Sequence, residues 1–248
     1  MPGRALHFRE FRLARRGHPL AECQDAAAAD PERGRFAVAD GAAESSLAAP
    51  WARLLVEDFV GAPGPPAGWA SGLPRLRQRW AAESGGGADP AALPWYLEGQ
   101  HRRGAFATFL GLAVEGDRWH ALAVGDSCLF QVRAGALVEA FPLARAADFG
   151  NAPWLVGSRA PAAEAPAAGA LHHEGELSPG DRVWLMTDAL AQWFLAEAEK
   201  GGTPWDDLDA LPAAPDPDAA FAAWVENLRA ARRLRNDDVT LLSVVRCP

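Results

Sequence analysis

Residues 107–141, ATFLGLAVEGDRWHALAVGDSCLFQVRAGALVEAF, form a nearly unbroken series of short apolar runs interrupted only at Glu115-Gly116-Asp117 and Ala134-Gly135. Interruptions this tight leave room for hairpin turns but not for crossover helices, so the segment reads as a meander of three or four strands. Within it, Trp119, Ala121 and Ala123 alternate with Leu122 and Val124, so one strand carries apolar residues on both faces. A strand of that kind belongs in the interior of a sheet covered on both sides.

Further strand-like runs are RFAVAD (35–40), DRVWLMTD (181–188) and DVTLLSVV (238–245). Helical stripes lie between them. Leu47, Trp51, Leu54, Leu55 and Phe59 form one; Leu190, Trp193, Phe194 and Ala198 form another, ended by Gly201 and Gly202; Phe221, Trp224, Val225, Leu228 and Ala231 form the third, with Asp218 as its expected cap. Strands grouped by hairpins with helices between the groups predict antiparallel sheets faced by helices. The chain of 248 residues is long enough for one substantial core and is read as a single domain, 1–248. Residues 61–103 are expected to form a variable insertion or lid around a short helix, Leu73 to Glu83. Residues 145–170 are expected to form an irregular, flap-like segment, and 201–218 a surface connection.

A formal net charge of −8 argues against a nucleic-acid partner. No apolar run has the length of a membrane span, and the start of the chain lacks a signal-peptide pattern. The three cysteines, Cys23, Cys128 and Cys247, are too scattered for a disulfide framework or a thiolate zinc site. A cytoplasmic location without a membrane partner is the resulting expectation.

Three of the runs end on an aspartate: Asp40 after FAVA, Asp126 after LAVG and Asp188 after WLMT. Asp237 and Asp238 immediately precede VTLLSVV. One aspartate after a strand is ordinarily a turn residue. Repeated at several strand boundaries, the carboxylates can share one edge of stacked sheets, where they would repel unless a cation offset their charge. An all-oxygen cluster suits Mg²⁺ or Mn²⁺ better than zinc. His172-His173 lacks zinc-site spacing and reads as a polar stretch, and Cys128 reads as a small buried apolar residue. Neither a GxSxG elbow nor a GxxxxGK[ST] loop is present.

In chain order, ECQDA (22–26), FAVADG (36–41), ATFLGL (107–112), AVGDS (123–127), VWLMTDAL (183–190) and NDDVTLLSV (236–244) together resemble the metal-dependent protein serine/threonine phosphatase 2C (PPM) family, in a divergent bacterial form. The resemblance implies an α+β fold, a four-layer α-β-β-α sandwich of two mainly antiparallel sheets. It implies hydrolysis of phosphoserine and phosphothreonine in proteins by a metal-activated water, with a phosphorylated protein as partner. The metal and catalytic residues it implies are Asp40, the Gly41 carbonyl, Asp188 and Asp237, with Gln24, Asp25 and Asp126 as further candidates. Asp126 matches either a ligand of an additional ion or a structural residue beneath the site.

The departures are specific. DGAAE stands where the family has DGxGG, TDAL where it has SDG or TDG, and Gln24-Asp25 where it has an acidic pair. With a neutral Gln24, two ions are expected, one of them weakly held. Leu20 occupies the place of the phosphate-binding arginine, leaving Arg15, Arg16 and His18 as candidates. These departures define an alternative: a weakly active or inactive module that binds a phosphoprotein or partner protein. Trp69, Trp95, Tyr96 and Trp154, in the irregular segments, line either a receiving wall for substrate or a small satellite core.

Overall fold

The computed structural model describes residues 6–42, 47–62, 66–83, 104–150, 152–159 and 169–247. The strands are β1 (Leu6–Leu13), β2 (Ala26–Asp30), β3 (Arg35–Ala39), β4 (Phe106–Ala107), β5 (Phe109–Glu115), β6 (Arg118–Val124), β7 (Cys128–Arg133), β8 (Ala136–Phe141), β9 (Val156–Gly157), β10 (Leu171–Glu176), β11 (Arg182–Met186) and β12 (Val239–Arg246). The helices are α1 (Ala48–Gly61), α2 (Leu73–Glu83), α3 (Asp188–Glu199), α4 (Pro204–Ala210) and α5 (Pro217–Ala230). Trp95, Tyr96, much of the expected insertion at 61–103 and part of 145–170 lie outside the described residues.

Two five-stranded sheets, ordered β1-β12-β11-β7-β8 and β10-β6-β5-β3-β2, carry the fold. Every pairing within them is antiparallel. The period-2 alternation divides the side chains between layers. Phe36, Val38, Leu110, Leu112, Trp119 and Ala121 of the second sheet meet Leu129, Val183, Leu185, Leu242 and Val244 of the first. On the outer face of the second sheet, Ala37, Phe109, Leu122 and Val124 lie under Trp51, Leu55 and Phe59 of α1 and Leu76 and Trp80 of α2. On the outer face of the first, Phe11, Phe130, Trp184 and Leu241 lie under Leu190 and Phe194 of α3 and Phe221, Val225 and Leu228 of α5. This is the α-β-β-α sandwich, and β6 is an interior strand apolar on both faces, as its pattern predicts.

Several local features depart from the sequence reading. Residues 201–218 contain a helix, α4, whose Trp205 and Leu208 are buried. Seven residues span barely two turns, too few for a periodic signature. His172 and His173 lie in β10, an edge strand whose polarity suits its exposure. The cap of α5 is Asp216, which accepts from the Ala219 amide at 3.1 Å; Pro217 follows at the first helical position, and Asp218 instead pairs with Arg9 at 2.9 Å. Gly201, with φ +81°, and Gly202 close α3 as expected, returning their amides to Ala198 and Glu197.

Phe221 anchors α5 on β1. It is buried and stacked on Phe11 at 5.0 Å between ring centroids. Phe221→Ala is expected to lower the free energy of unfolding by about 3–5 kcal/mol in denaturant titration; a loss below about 1 kcal/mol would mean that α5 does not depend on this contact.

Candidate metal and phosphoester site

Antiparallel pairing explains why distant aspartates meet. In the first sheet, Met186 at the end of β11 lies opposite Leu241 near the start of β12 and Cys128 at the start of β7. Asp188, Asp237, Asp238 and Asp126 therefore fall at one end of that sheet. In the second, Ala39 at the end of β3 lies opposite Ala26 at the start of β2, which brings Asp40 and Asp25 together. Leu13 opposite Val239 places the β1–β2 connection at the same end.

Hydrogen bonds then join the two edges. The Thr187 hydroxyl donates to Asp25 Oδ2 at 2.9 Å and accepts the Thr240 amide at 2.9 Å, so it is not used to cap α3. The Asp238 carboxylate accepts the Gln24 amide through one oxygen and the Arg15 amide through the other, both at 2.8 Å. Asp238 is thus a brace between β12 and the β1–β2 connection. Thr108 brackets Asp40: its amide donates to the Asp40 carbonyl at 2.8 Å, the Asp40 amide donates to its hydroxyl at 3.1 Å, and that hydroxyl also meets Ser127 Oγ at 2.8 Å. Asp237 is held by buried Arg229, which donates to the Asp237 carbonyl at 2.5 Å, to the Ala14 carbonyl at 3.1 Å and to Glu226 at 2.7 Å.

The glycine-to-alanine changes at 42 and 189 are accommodated. Ala189 lies in the first turn of α3, and neither it nor Ala42 has positive φ; Ala43 is outside the described residues. Gly41, by contrast, is required for close approach, because a Cβ there would stand 2.7 Å from the Gln24 carbonyl oxygen and press on Ala48.

Gathering these acids raises their proton affinity. Asp25, 2% exposed, is pushed up to about 7, chiefly by burial and further by the Asp238 charge, against the pull of its threonine hydrogen bonds. Asp40 is raised well above the ordinary carboxylate range, first by burial and then by Asp25, Asp237 and Asp126. Burial also raises Asp126, with Asp237 adding to the effect and Arg235 opposing it. Asp25 Oδ1 and Asp126 Oδ1 are buried without a hydrogen-bond donor.

Orphaned, crowded carboxylate oxygens fit a hard divalent ion, which accepts such donors and cancels their repulsion. Among the described residues no group of three His, Cys, Asp or Glu side chains already converges as a ready-made cage. Asp188 and Asp237 instead engage a cation of the chain: the Arg235 guanidinium contacts Asp188 Oδ2 and stands 3.5 Å from Asp237 Oδ2.

Of the phosphate-binding candidates, Arg16 and His18 have their side chains engaged by glutamates, and Arg15 is engaged through its main chain. Arg16 binds the Glu226 side chain at 2.5 Å and its carbonyl at 2.9 Å, His18 pairs with Glu22 at 2.7 Å, and Arg15 contributes its amide to Asp238. Leu20 is exposed. Cys128 Sγ donates to the Asp126 carbonyl at 3.3 Å, and burial raises its thiol pKa, so it is an inert structural thiol. Thr108, Thr187, Arg229 and Arg235 are contributors that residue patterns did not single out. The one available signal was proximity in sequence: Thr187 adjoins Asp188, and Arg235 precedes Asp237 by two positions.

No family model matches the chain, and no curated protein does. Solved structures do. PppA of Pseudomonas aeruginosa, a key regulatory component of T6SS, is 22% identical with a TM-score of 0.62 over 97% of both chains. The catalytic domain of the serine/threonine protein phosphatase PstP, solved with 2 manganese ions, is 17% identical with a TM-score of 0.62 over 97% of this chain and 99% of that one. The PPM Ser-Thr phosphatase MsPP from Mycobacterium smegmatis is 20% identical with a TM-score of 0.57 over 98% and 99%. The chain therefore has the fold of the PPM phosphatases along nearly its whole length. Among the described residues no helix is long and apolar enough to cross a membrane.

Asp25 supplies a pH test. Because its pKa is raised in the folded protein, the folded state binds more protons than the unfolded state between the ordinary carboxylate range and about pH 7. Its contribution to stability is therefore favourable at low pH and is lost as pH rises through that window. In chelator, Asp25→Asn should gain thermal stability relative to the parent as pH goes from about 4 to about 7. A difference between the two melting temperatures that stays constant over that range would show that Asp25 titrates normally.

Proposed function

We propose that this chain is a PPM-family protein phosphatase that hydrolyses phosphoserine and phosphothreonine in proteins with Mg²⁺ or Mn²⁺. The observation that supports this reading is the placement of Asp25, Asp40, Asp126, Asp188 and Asp237 at strand ends on one side of a PPM-type sandwich, with one carboxylate oxygen each of Asp25 and Asp126 left without a donor. Divalent ions bound there would supply Lewis acidity, lowering the pKa of water and offsetting phosphoryl charge.

Asp40, Asp188 and Asp237 would hold those ions, with the Gly41 carbonyl, Asp25 and Asp126 as nearby oxygen donors and Gln24 as a neutral one. The chain's part is to fix these donors in place. Thr108 immobilises the backbone on both sides of the Asp40 peptide, Arg229 pins the Asp237 carbonyl, and Asp188 projects from the first residue of α3. Gln24 is positioned through its amide on Asp238, leaving its side-chain carbonyl as the weaker replacement for an acidic ligand. The thiol of Cys128 is not offered as a nucleophile: it is buried, it donates to the Asp126 carbonyl, and burial raises its pKa.

The test is phosphate release from a phosphothreonine peptide with Mn²⁺ and again with chelator. The parent should be active only with the ion, and Asp40→Asn, which retains size but loses charge, should lose at least about 100-fold in kcat/KM. Release that survives chelator, or an Asp40→Asn enzyme equal to the parent, would overturn the reading. An ion-binding parent with no turnover would favour the phosphoprotein-binding module instead.

A further inference from the structure

Arg235 stands at the carboxylate edge, set against Asp188 and Asp237. Its guanidinium contacts Asp188 Oδ2 and approaches Asp237 Oδ2 at 3.5 Å. The side chain is 38% exposed, so it has an open path to solvent, whereas the Asp188 side chain is only 13% exposed.

The root of this side chain is fixed near its partners. Leu234 is buried, the Asp237 amide donates to the Arg235 carbonyl at 3.1 Å, and Arg229 clamps the Asp237 carbonyl. The neighbouring Arg233 is drawn away to Glu197 at 2.7 Å. Arg235 therefore reaches the carboxylates from a short, anchored loop.

A guanidinium and a divalent ion both seek carboxylate oxygens and repel each other. They cannot share the same oxygens of Asp188 and Asp237 without the arginine giving up its contacts. We propose that Arg235 is a built-in competitor for divalent metal at Asp188 and Asp237, setting the metal affinity of this edge by the cost of displacing its guanidinium. The proposal rests on the metal-centre reading of the site. It differs from the expected effect of Gln24, which weakens a site by removing a ligand charge; Arg235 weakens it by holding the ligands that remain.

The experiment is calorimetric titration of the full chain with Mn²⁺ alone, without substrate, at one pH and ionic strength, comparing the parent, Arg235→Ala, Arg235→Gln and Arg235→Lys. Arg235→Ala and Arg235→Gln should bind Mn²⁺ at least about tenfold more tightly than the parent, a difference of about 1.4 kcal/mol. Arg235→Lys, a cation without the fork geometry, should fall between. Circular dichroism identifies folded variants, and the length-preserving Gln variant serves if Ala does not fold. Unchanged or weaker binding in folded Ala and Gln variants overturns the competitor role while leaving the hydrolase reading intact. Absence of Mn²⁺ binding in every protein overturns both. Tighter binding in the variants without phosphate release by any of them supports the competitor role and counts against the hydrolase reading alone.

Discussion

Crowding of negative charge at one end of two stacked sheets is the constraint around which this structure is arranged. Asp40 feels the charges of Asp25, Asp126 and Asp237, and burial prevents water from screening them. A protein can accommodate such a group by protonating members of it, by donating hydrogen bonds to them, or by bringing positive charge. All three occur here. Asp25 and Asp40 are raised, Thr187 and the amides of Gln24 and Arg15 serve Asp25 and Asp238, and Arg235 brings its guanidinium to Asp188 and Asp237. Divalent ions would complete the same balance with a higher charge density.

The sandwich can hold such a cluster because its rigidity comes from elsewhere. The apolar layers between and outside the sheets are closed by Phe36, Trp119, Trp51, Trp184 and Phe194, all essentially inaccessible to water. These residues stabilise the strands whose ends carry the acids, so repulsion at the edge is opposed by packing along the whole strand length. The polar ties at the edge do a more local task. Thr108, Thr187, Asp238 and Arg229 set where each carboxylate stands, and several of their bonds cross from one sheet to the other or from strand to loop.

The strands of the meander were legible because each apolar run is bounded by a Gly-containing turn, and α3 and α5 because each helix is long enough to repeat its apolar stripe over more than two turns. The acidic edge was legible because an aspartate at the end of one strand and another at the start of its antiparallel neighbour must adjoin. What was not legible depended on partners distant in sequence. Nothing local distinguishes Asp216 from Asp218 as a cap, since the choice depends on where Pro217 starts the helix and on Arg9 taking Asp218. Arg16 and His18 look available from sequence, but Glu226 and Glu22 lie waiting for their side chains. Arg235 is one of three arginines in RRLR (232–235), and only the folded chain sets it against Asp188, 47 positions away in sequence.

The central claim is that one end of the sandwich is a divalent-metal centre whose carboxylates are otherwise held by Arg235. Crystals grown with Mn²⁺ and measured at the manganese absorption edge test it directly. Anomalous density among Asp40, Asp188 and Asp237, with the Arg235 guanidinium moved off Asp188, is the predicted result. Density absent from this edge at saturating Mn²⁺, with Arg235 still on Asp188, would contradict it.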